Sequence, residues 1–134
     1  MKKGLIIMAL AIFSTLLSAQ TFTEILGRPT NNSITINVLF NAQVDVYFEY
    51  GTVNGVYSNS TTVVTSTLNE PVVYVMSGLL PETRYYYRTR YRTPGTGTFL
   101  ASSEHTFITQ RKPGSKFVFT IEADPHPYLS LIHI

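Results

Sequence analysis

Hydrophobic and polar residues alternate in short runs after residue 21, which is the period of a β-strand. Residues 33–40 place Ile34, Ile36, Val38 and Phe40 on one face, and residues 44–50 repeat the pattern. Asn54-Gly55 marks a turn after the second run. The same pattern predicts strands at residues 61–65, 71–76, 83–92 and 104–110, whereas no long helical period occurs. Six or seven short strands at this spacing predict an all-β sandwich.

One predicted strand has a distinctive entrance. Leu79, Pro81, Thr83 and Tyr85 form the pattern Leu-x-Pro-x-Thr-x-Tyr. Pro81 lacks an N–H donor and therefore belongs at the start of the strand. The pattern resembles the corner between the fifth and sixth strands of fibronectin type III domains. That resemblance covers residues 20–110 and implies that the Tyr85 hydroxyl bonds to backbone a few residues upstream.

The strand that begins at this entrance, residues 83–92, has two chemically different faces. Its odd positions are Thr83, Tyr85, Tyr87, Thr89 and Tyr91, which predict a buried side. The even positions carry arginine, and we expect that face to stay in water, with glutamates on neighbouring strands as partners. A binding role for phosphate, polysaccharide or nucleic acid is the alternative, and the cationic positions are Arg84, Arg88, Arg90 and Arg92.

The first nineteen residues have the plan of a secretory signal peptide. Lys2 and Lys3 precede an apolar run at residues 5–17, and Ser18-Ala19 supplies small residues for cleavage after Ala19. The run is shorter than the roughly 20 residues that span a bilayer, so no stable membrane anchor is expected. Eight basic and eight acidic residues remain after cleavage, which gives no electrostatic support for nucleic-acid binding. An exported protein is predicted.

A second unit is predicted to begin after the sandwich. Residues 111–115 contain Pro113-Gly114 and predict a linker. Residues 116–123 are apolar on both faces, as in the interior strands of α/β sheets. Asp124 and His126 follow that strand, and a carboxylate and an imidazole in this position are able to bind one metal ion. A simple turn, with Asp124 capping backbone and His126 in solvent, is the alternative.

A narrower resemblance connects these segments. The motifs resemble purple acid phosphatases, in which such a sandwich precedes a calcineurin-like metallophosphoesterase domain. They are Phe48-Glu49-Tyr50-Gly51-Thr52, Gly55-Val56-Tyr57-Ser58, Ser77-Gly78-Leu79, Tyr85-Tyr86-Tyr87-Arg88, Glu104-His105-Thr106-Phe107 and Asp124-Pro125-His126. The resemblance implies a parent that hydrolyses phosphate esters at a dinuclear Fe, Zn or Mn site. It also implies that the sandwich packs on a catalytic domain of which residues 116–128 are the start. A fragment with two ligands would be inactive and metal-free.

Two further expectations concern the last six residues and an alternative function. Residues 129–134 follow no pattern of that family, and they look like a translated sequencing adapter. A native helix or strand start is the alternative. The alternative function is a fibronectin type III binding or adhesion module of a secreted or cell-surface protein.

Overall fold

The computed structural model describes residues 21–121. These residues form nine strands and no helix. The strands are β1 (Phe22–Gly27), β2 (Ser33–Phe40), β3 (Asp45–Gly51), β4 (Asn59–Ser60), β5 (Val64–Thr65), β6 (Val72–Ser77), β7 (Arg84–Arg92), β8 (Leu100–Ala101) and β9 (His105–Ile108). The predicted signal peptide and residues 122–134 lie outside the described part of the chain.

The strands form two antiparallel sheets. The smaller sheet has the order β1-β2-β6. The larger sheet has the order β4-β3-β7-β8, with β5 also paired to β3 and β9 also paired to β7. The prediction of an all-β sandwich is confirmed at this level. The described residues contain no α/β unit.

The core lies between the sheets because strand residues alternate in direction. Ile36, Val38 and Phe48 are at most 1% exposed, and their neighbours two positions away are also buried. The complete set of buried apolar residues is Ile34, Ile36, Val38, Phe40, Val44, Val46, Phe48, Met76, Leu79, Tyr85, Tyr87 and Phe107. Each such side chain stabilises the fold by about 1.5–3 kcal/mol through removal from water. The faces predicted to be buried for residues 33–40 and 44–50 therefore form the centre of the core.

The tyrosine at the entrance of β7 closes a corner of the sandwich. The Leu80 backbone N–H donates to the Tyr85 hydroxyl at 2.9 Å. Thr83 donates through its hydroxyl to the Pro81 carbonyl at 2.8 Å, and Leu79 is 5% exposed. The Tyr85 ring stacks on Phe107 of β9 with centroids 5.4 Å apart. The phenol thus has a backbone partner although its ring is buried.

Two predicted strands differ from the structure. Residues 61–65 form only the short pairing of β5, because Thr61 turns its N–H and hydroxyl to the backbone of Phe48 and leaves no continuous ladder. Residues 116–121 contain no strand, and Phe117, Val118, Phe119 and Ile121 are 67–96% exposed. A strand needs a neighbouring strand for its backbone groups, and none is provided within residues 21–121. The predicted interior strand of an α/β sheet is therefore absent from this segment.

Candidate binding surface on the larger sheet

The outward face of β7 carries a row of cations, which we call the arginine stripe: Arg84, Arg88, Arg90 and Arg92. The strand places them there because its other face, with Tyr85, Tyr87 and Thr89, is buried. The antiparallel register sets three residues of β3 beside the stripe. Asp45 lies opposite Arg92, Tyr47 opposite Arg90 and Glu49 opposite Arg88.

Carboxylates on β3 bind three of the four guanidinium groups. Arg88 Nε donates to Glu49 Oε2 at 2.7 Å, and Arg90 Nε lies 3.8 Å from Glu49 Oε1. Arg92 Nε donates to Asp45 Oδ2 at 3.1 Å. The buried Arg90 Nε has no hydrogen-bond partner among the described residues. Glu49 is therefore the only counter-charge within 4 Å of Arg90 in the described structure.

Neighbouring hydrogen-bond donors, the arginines among them, lower the pKa values of both acids on β3. Partial burial opposes ionisation of Glu49, but hydrogen bonds from Arg88 and Tyr47 outweigh it, and the pKa of Glu49 is lowered. The hydrogen bond from the Thr65 hydroxyl is the main cause that lowers the pKa of Asp45, ahead of the bonds and charge of Arg92. Both carboxylates are thus held in the charged form that pairs with the stripe.

Aromatic rings cover the stripe from the solvent side. The Arg88 guanidinium carbon lies 4.4 Å from the centroid of the Tyr57 ring, and the Arg92 guanidinium carbon lies 4.3 Å from that of Phe99. Phe99 also packs edge-on against Tyr47 at 4.9 Å. Exposure of the three paired arginine side chains is only 21–31%. The predicted contact with water applies fully to the exposed Arg84, whereas Arg88 and Arg92 are partly covered, because ring faces attract guanidinium groups.

The turn that carries Tyr57 is held by one acid. Glu104 accepts hydrogen bonds from the Asn54 amide, the Gly55 backbone N–H and the Tyr57 hydroxyl, at 2.5, 2.9 and 2.7 Å. The bond from Tyr57 and then that from Gly55 lower the pKa of Glu104. The turn also crosses Gly51 closely, since a Cβ on Gly51 would lie 2.2 Å from the Val56 carbonyl oxygen. The turn that carries Tyr57, whose ring lies against Arg88, is therefore fixed in place.

The stripe is open at its other end. Arg84 is exposed and has no ion pair within residues 21–121. Tyr86 follows on the same face and is half-buried between Gly51 and Thr106, whose small side chains leave it accessible. Arg88 uses Nε for Glu49, and no hydrogen bond of its terminal amines occurs in the described structure. Among the described residues, Arg84 is thus the cation of the stripe whose charge is least compensated.

A second polar cluster lies between the two sheets. Glu24 of β1 points inward and accepts hydrogen bonds from the hydroxyls of Tyr87 and Thr89 of β7, the latter at 2.5 Å. Thr89 is fully buried and Tyr87 is 2% exposed. Burial, followed by the bond to Glu24, raises the pKa of Tyr87 far above its ordinary value. The phenol therefore stays neutral and acts as a donor that ties the sheets together.

A notch lies at one end of the smaller sheet. It has a volume of about 310 Å³ and is lined by Thr21, Phe22, Thr23, Leu39, Phe40, Asn41 and Asn69. Asn41 already accepts a hydrogen bond from the Thr21 backbone N–H at 3.1 Å. The residues that line the notch carry no charged group.

The predicted metal site falls beyond the part of the chain that the structure describes. Asp124 and His126 lie outside the described residues, and their role as metal ligands stays a prediction. Within residues 21–121 no three His, Asp or Glu side chains are grouped as a metal site. The same stretch holds no helix with the length and hydropathy needed to cross a membrane.

Several residues of the candidate surface were missed by sequence reasoning. Tyr57 and Phe99 lie in loops, so no strand period marks them, and Glu104 was expected to begin a strand and not to hold a turn. Glu49 had a weak signal, since it and Asp45 are the acidic residues of an otherwise apolar and aromatic strand. Cross-strand partners of the arginines were expected, and Glu49 and Asp45 are those partners.

The comparisons with known proteins concern the fold. No protein-family model and no curated protein sequence matches this chain. Solved structures of the sensor domain of the anti-sigma factor RsgI4 from Pseudobacteroides cellulosolvens are similar in structure. A longer form has 13% sequence identity and a TM-score of 0.56, and covers 75% of this chain and 99% of its own. A solution structure has 13% identity and a TM-score of 0.54, covering 80% and 96%. At this identity the likeness shows a shared fold.

These comparisons correct the predicted identity. The interpretation as part of a purple acid phosphatase-like metallophosphoesterase is wrong, because the similar structures are sensor domains and no phosphoesterase family matches. The hydrolase and metal-binding functions inferred from it are withdrawn as well. The motifs behind the resemblance build the sandwich instead. Phe48, Leu79 and Phe107 are core residues, Gly51 fits beneath a turn, and Glu104 holds that turn.

Proposed function

We propose that this chain is an exported sensing module with a fibronectin type III-like fold that binds a carboxylate-bearing ligand. The observation that carries the proposal is the open end of the arginine stripe. There the exposed Arg84 has no ion pair within the described residues, and Tyr86 and Arg88 lie on the same face. Arg88 is paired with Glu49 through Nε, and no hydrogen bond of its terminal amines occurs in the described structure. Guanidinium groups bind carboxylates through charge-assisted hydrogen bonds, which are stronger than neutral ones.

Preorganisation supports this site. Arg88 is held on one side by Glu49 and on the other by the Tyr57 ring, and Tyr57 is held by Glu104. A cation that is already fixed loses little side-chain entropy when a ligand arrives. Arg84 is the mobile counterpart, because it is exposed and unpaired within the described residues. One rigid and one adaptable cation suit an extended ligand with repeated acidic groups.

Two other features support an exported sensor. The first nineteen residues have the plan of a signal peptide, which would place the sandwich outside the cytoplasm. The sheet β1-β2-β6, the pairing of β3 with β7 in the other sheet and the Tyr85 corner between β6 and β7 support a fibronectin type III-like fold. The similar solved structures are titled sensor domains, and sensing by an analogous sandwich is the function that we transfer as a proposal.

Titration calorimetry with the chain from residue 20 onward tests the proposal. Polygalacturonate and polyglutamate are the two acidic probes, and neutral dextran is the blank. We expect one acidic probe to bind and its affinity to fall as salt rises. Arg84→Gln is expected to weaken binding about tenfold, because one charge-assisted hydrogen bond is lost.

The matched control is Arg111→Gln. Arg111 is also an exposed arginine, but its charge is paired with Glu82. Its change should alter affinity less than twofold. Absence of binding to both acidic probes, or equal losses for Arg84→Gln and Arg111→Gln, would disprove the proposed site.

A further inference from the structure

The smaller sheet has one edge that lacks the usual protection against pairing with another chain. Edge strands are normally kept short or carry a charge, a proline or a bulge. In the larger sheet β4, β5 and β8 have two residues each, and β9 has four. In the smaller sheet β1 carries the inward-pointing Glu24. Strand β6 has six residues and contains neither a charged residue nor a proline.

The same chain contains a strand-forming segment without a partner. Residues 116–121 read Lys-Phe-Val-Phe-Thr-Ile, which combines aromatic and β-branched residues of high strand propensity. Phe117, Phe119 and Ile121 would share one side of a strand and are 69%, 67% and 83% exposed. The segment has six residues, which is also the length of β6.

Hydrogen bonds of residues 111–116 fix the place where this segment begins. Arg111 donates to Glu82 Oε1 at 2.9 Å and to the Lys116 carbonyl at 3.0 Å. The Ser115 backbone N–H donates to the Lys112 carbonyl at 3.1 Å, which closes a turn. Residues 116–121 therefore begin beside the corner between β6 and β7, yet they pair with no strand of the described structure.

We infer that residues 116–121 of one copy of this chain add as a fourth strand to the open edge of β6 in a second copy. The exchange is reciprocal, so each copy donates one segment and receives one, and the assembly closes as a two-fold dimer. Main-chain hydrogen bonds form along β6, and the face with Phe117, Phe119 and Ile121 extends the inward face beside Tyr74. Val118 then lies beside the exposed Val73 and Val75. This inference does not depend on the acidic-ligand site.

Sedimentation equilibrium of the full chain from residue 20 onward tests the inference. We expect a dimer at tens of micromolar that dissociates on dilution. Val75→Lys on the outward side of β6 and Phe119→Lys in the donated segment should each weaken the dimer at least tenfold. The matched controls are Ile25→Lys, which places the same charge on the other edge strand, and Ser115→Lys, which lies just before the segment. Both controls should dimerise like the wild type, and circular dichroism should show all four variants folded.

Hydrogen exchange gives an independent readout of the same contact. In the dimer, amides of residues 72–77 and 116–121 should be protected together, and dilution should expose both. A monomer at all concentrations overturns the inference. If its residues 116–121 are protected, they pair within their own chain; if they are unprotected, they pair with nothing. A dimer that Val75→Lys leaves intact equally overturns it.

Discussion

The outward faces of the two sheets differ in their charge and in how far their side chains are exposed to water. The face of the larger sheet carries the arginine stripe, and three of its cations are 21–31% exposed beneath aromatic rings. The face of the smaller sheet is uncharged, and its apolar members Ile25, Leu39, Val73 and Val75 are 44–63% exposed. A cationic face removed from water requires carboxylates in fixed positions, whereas an uncharged face requires no partner.

Because of this difference, substitutions on the two faces should affect stability differently. The larger sheet depends on specific contacts between residues that are far apart in sequence, such as Glu49 with Arg88 and Glu104 with Tyr57. We expect the outward face of the smaller sheet to tolerate residue substitutions, because its apolar side chains make no hydrogen bond or ion pair. Stability should therefore respond to charge removal on one face and hardly at all to substitution on the other.

Among changes on the two outward faces, the largest effect is expected from Glu49→Gln. This change removes the counter-charge of Arg88 and leaves the buried Arg90 Nε without an anion. We expect the free energy of unfolding to fall by about 2 kcal/mol, as measured by urea denaturation. Glu70→Gln, at an exposed loop position, is the control and should change it by less than about 0.5 kcal/mol. A loss below that value for Glu49→Gln would mean that water compensates the arginines.

The second-largest effect is expected from acid, which should lower the contribution of the charged face to the free energy of unfolding. The pKa values of Asp45, Glu49 and Glu104 are lowered in the folded protein. Their contribution to stability is complete above the unfolded-state pKa of about 4 and is lost as pH falls through the folded values. The stability difference between the wild type and Glu49→Gln should therefore shrink between pH 7 and pH 3, in urea titrations at each pH. An unchanged difference at pH 3 would contradict a role for the carboxylate charge.

The smallest effect is expected on the uncharged face. Ile25→Thr keeps a β-branched residue at an outward position that is 63% exposed, and stability should change by less than about 0.5 kcal/mol. Ile36→Thr is the matched change on the inward face, where the side chain is fully buried. It should cost about 2 kcal/mol or more, because an unpaired hydroxyl replaces a packed ethyl group. Comparable losses for the two variants in urea denaturation would show that the outward face is also covered.

Sequence patterning predicted the sandwich well where one strand face is buried. Residues 33–40 form β2 with the predicted side inward, because alternation alone decides which face enters the core. Strand β1 was harder to predict, since Glu24 occupies an inward position that would ordinarily be apolar. The two-residue strands β4, β5 and β8 are defined only by their partners, so no local pattern could mark them.

The candidate site could be predicted only in part. Alternation in β7 placed the arginines on one face, and the need for acidic partners followed from their charge. The cover by Tyr57 and Phe99 comes from loops whose positions depend on the tertiary fold. The phosphatase interpretation failed for a related reason: residues such as Phe48, Gly51 and Leu79 satisfy the geometry of the sandwich, and that geometry is compatible with many functions.

The contact of Glu24 with Tyr87 and Thr89 has a consequence for the redox conditions in which the chain folds. Immunoglobulin-type sandwiches join their sheets by a disulfide, and this chain has no cysteine. Here hydrogen bonds from the two hydroxyls to one carboxylate link β1 to β7 across the core. Such a link forms without an oxidant and comes apart whenever the chain unfolds. The chain can therefore complete this cross-link between its sheets in a reducing or an oxidising compartment alike.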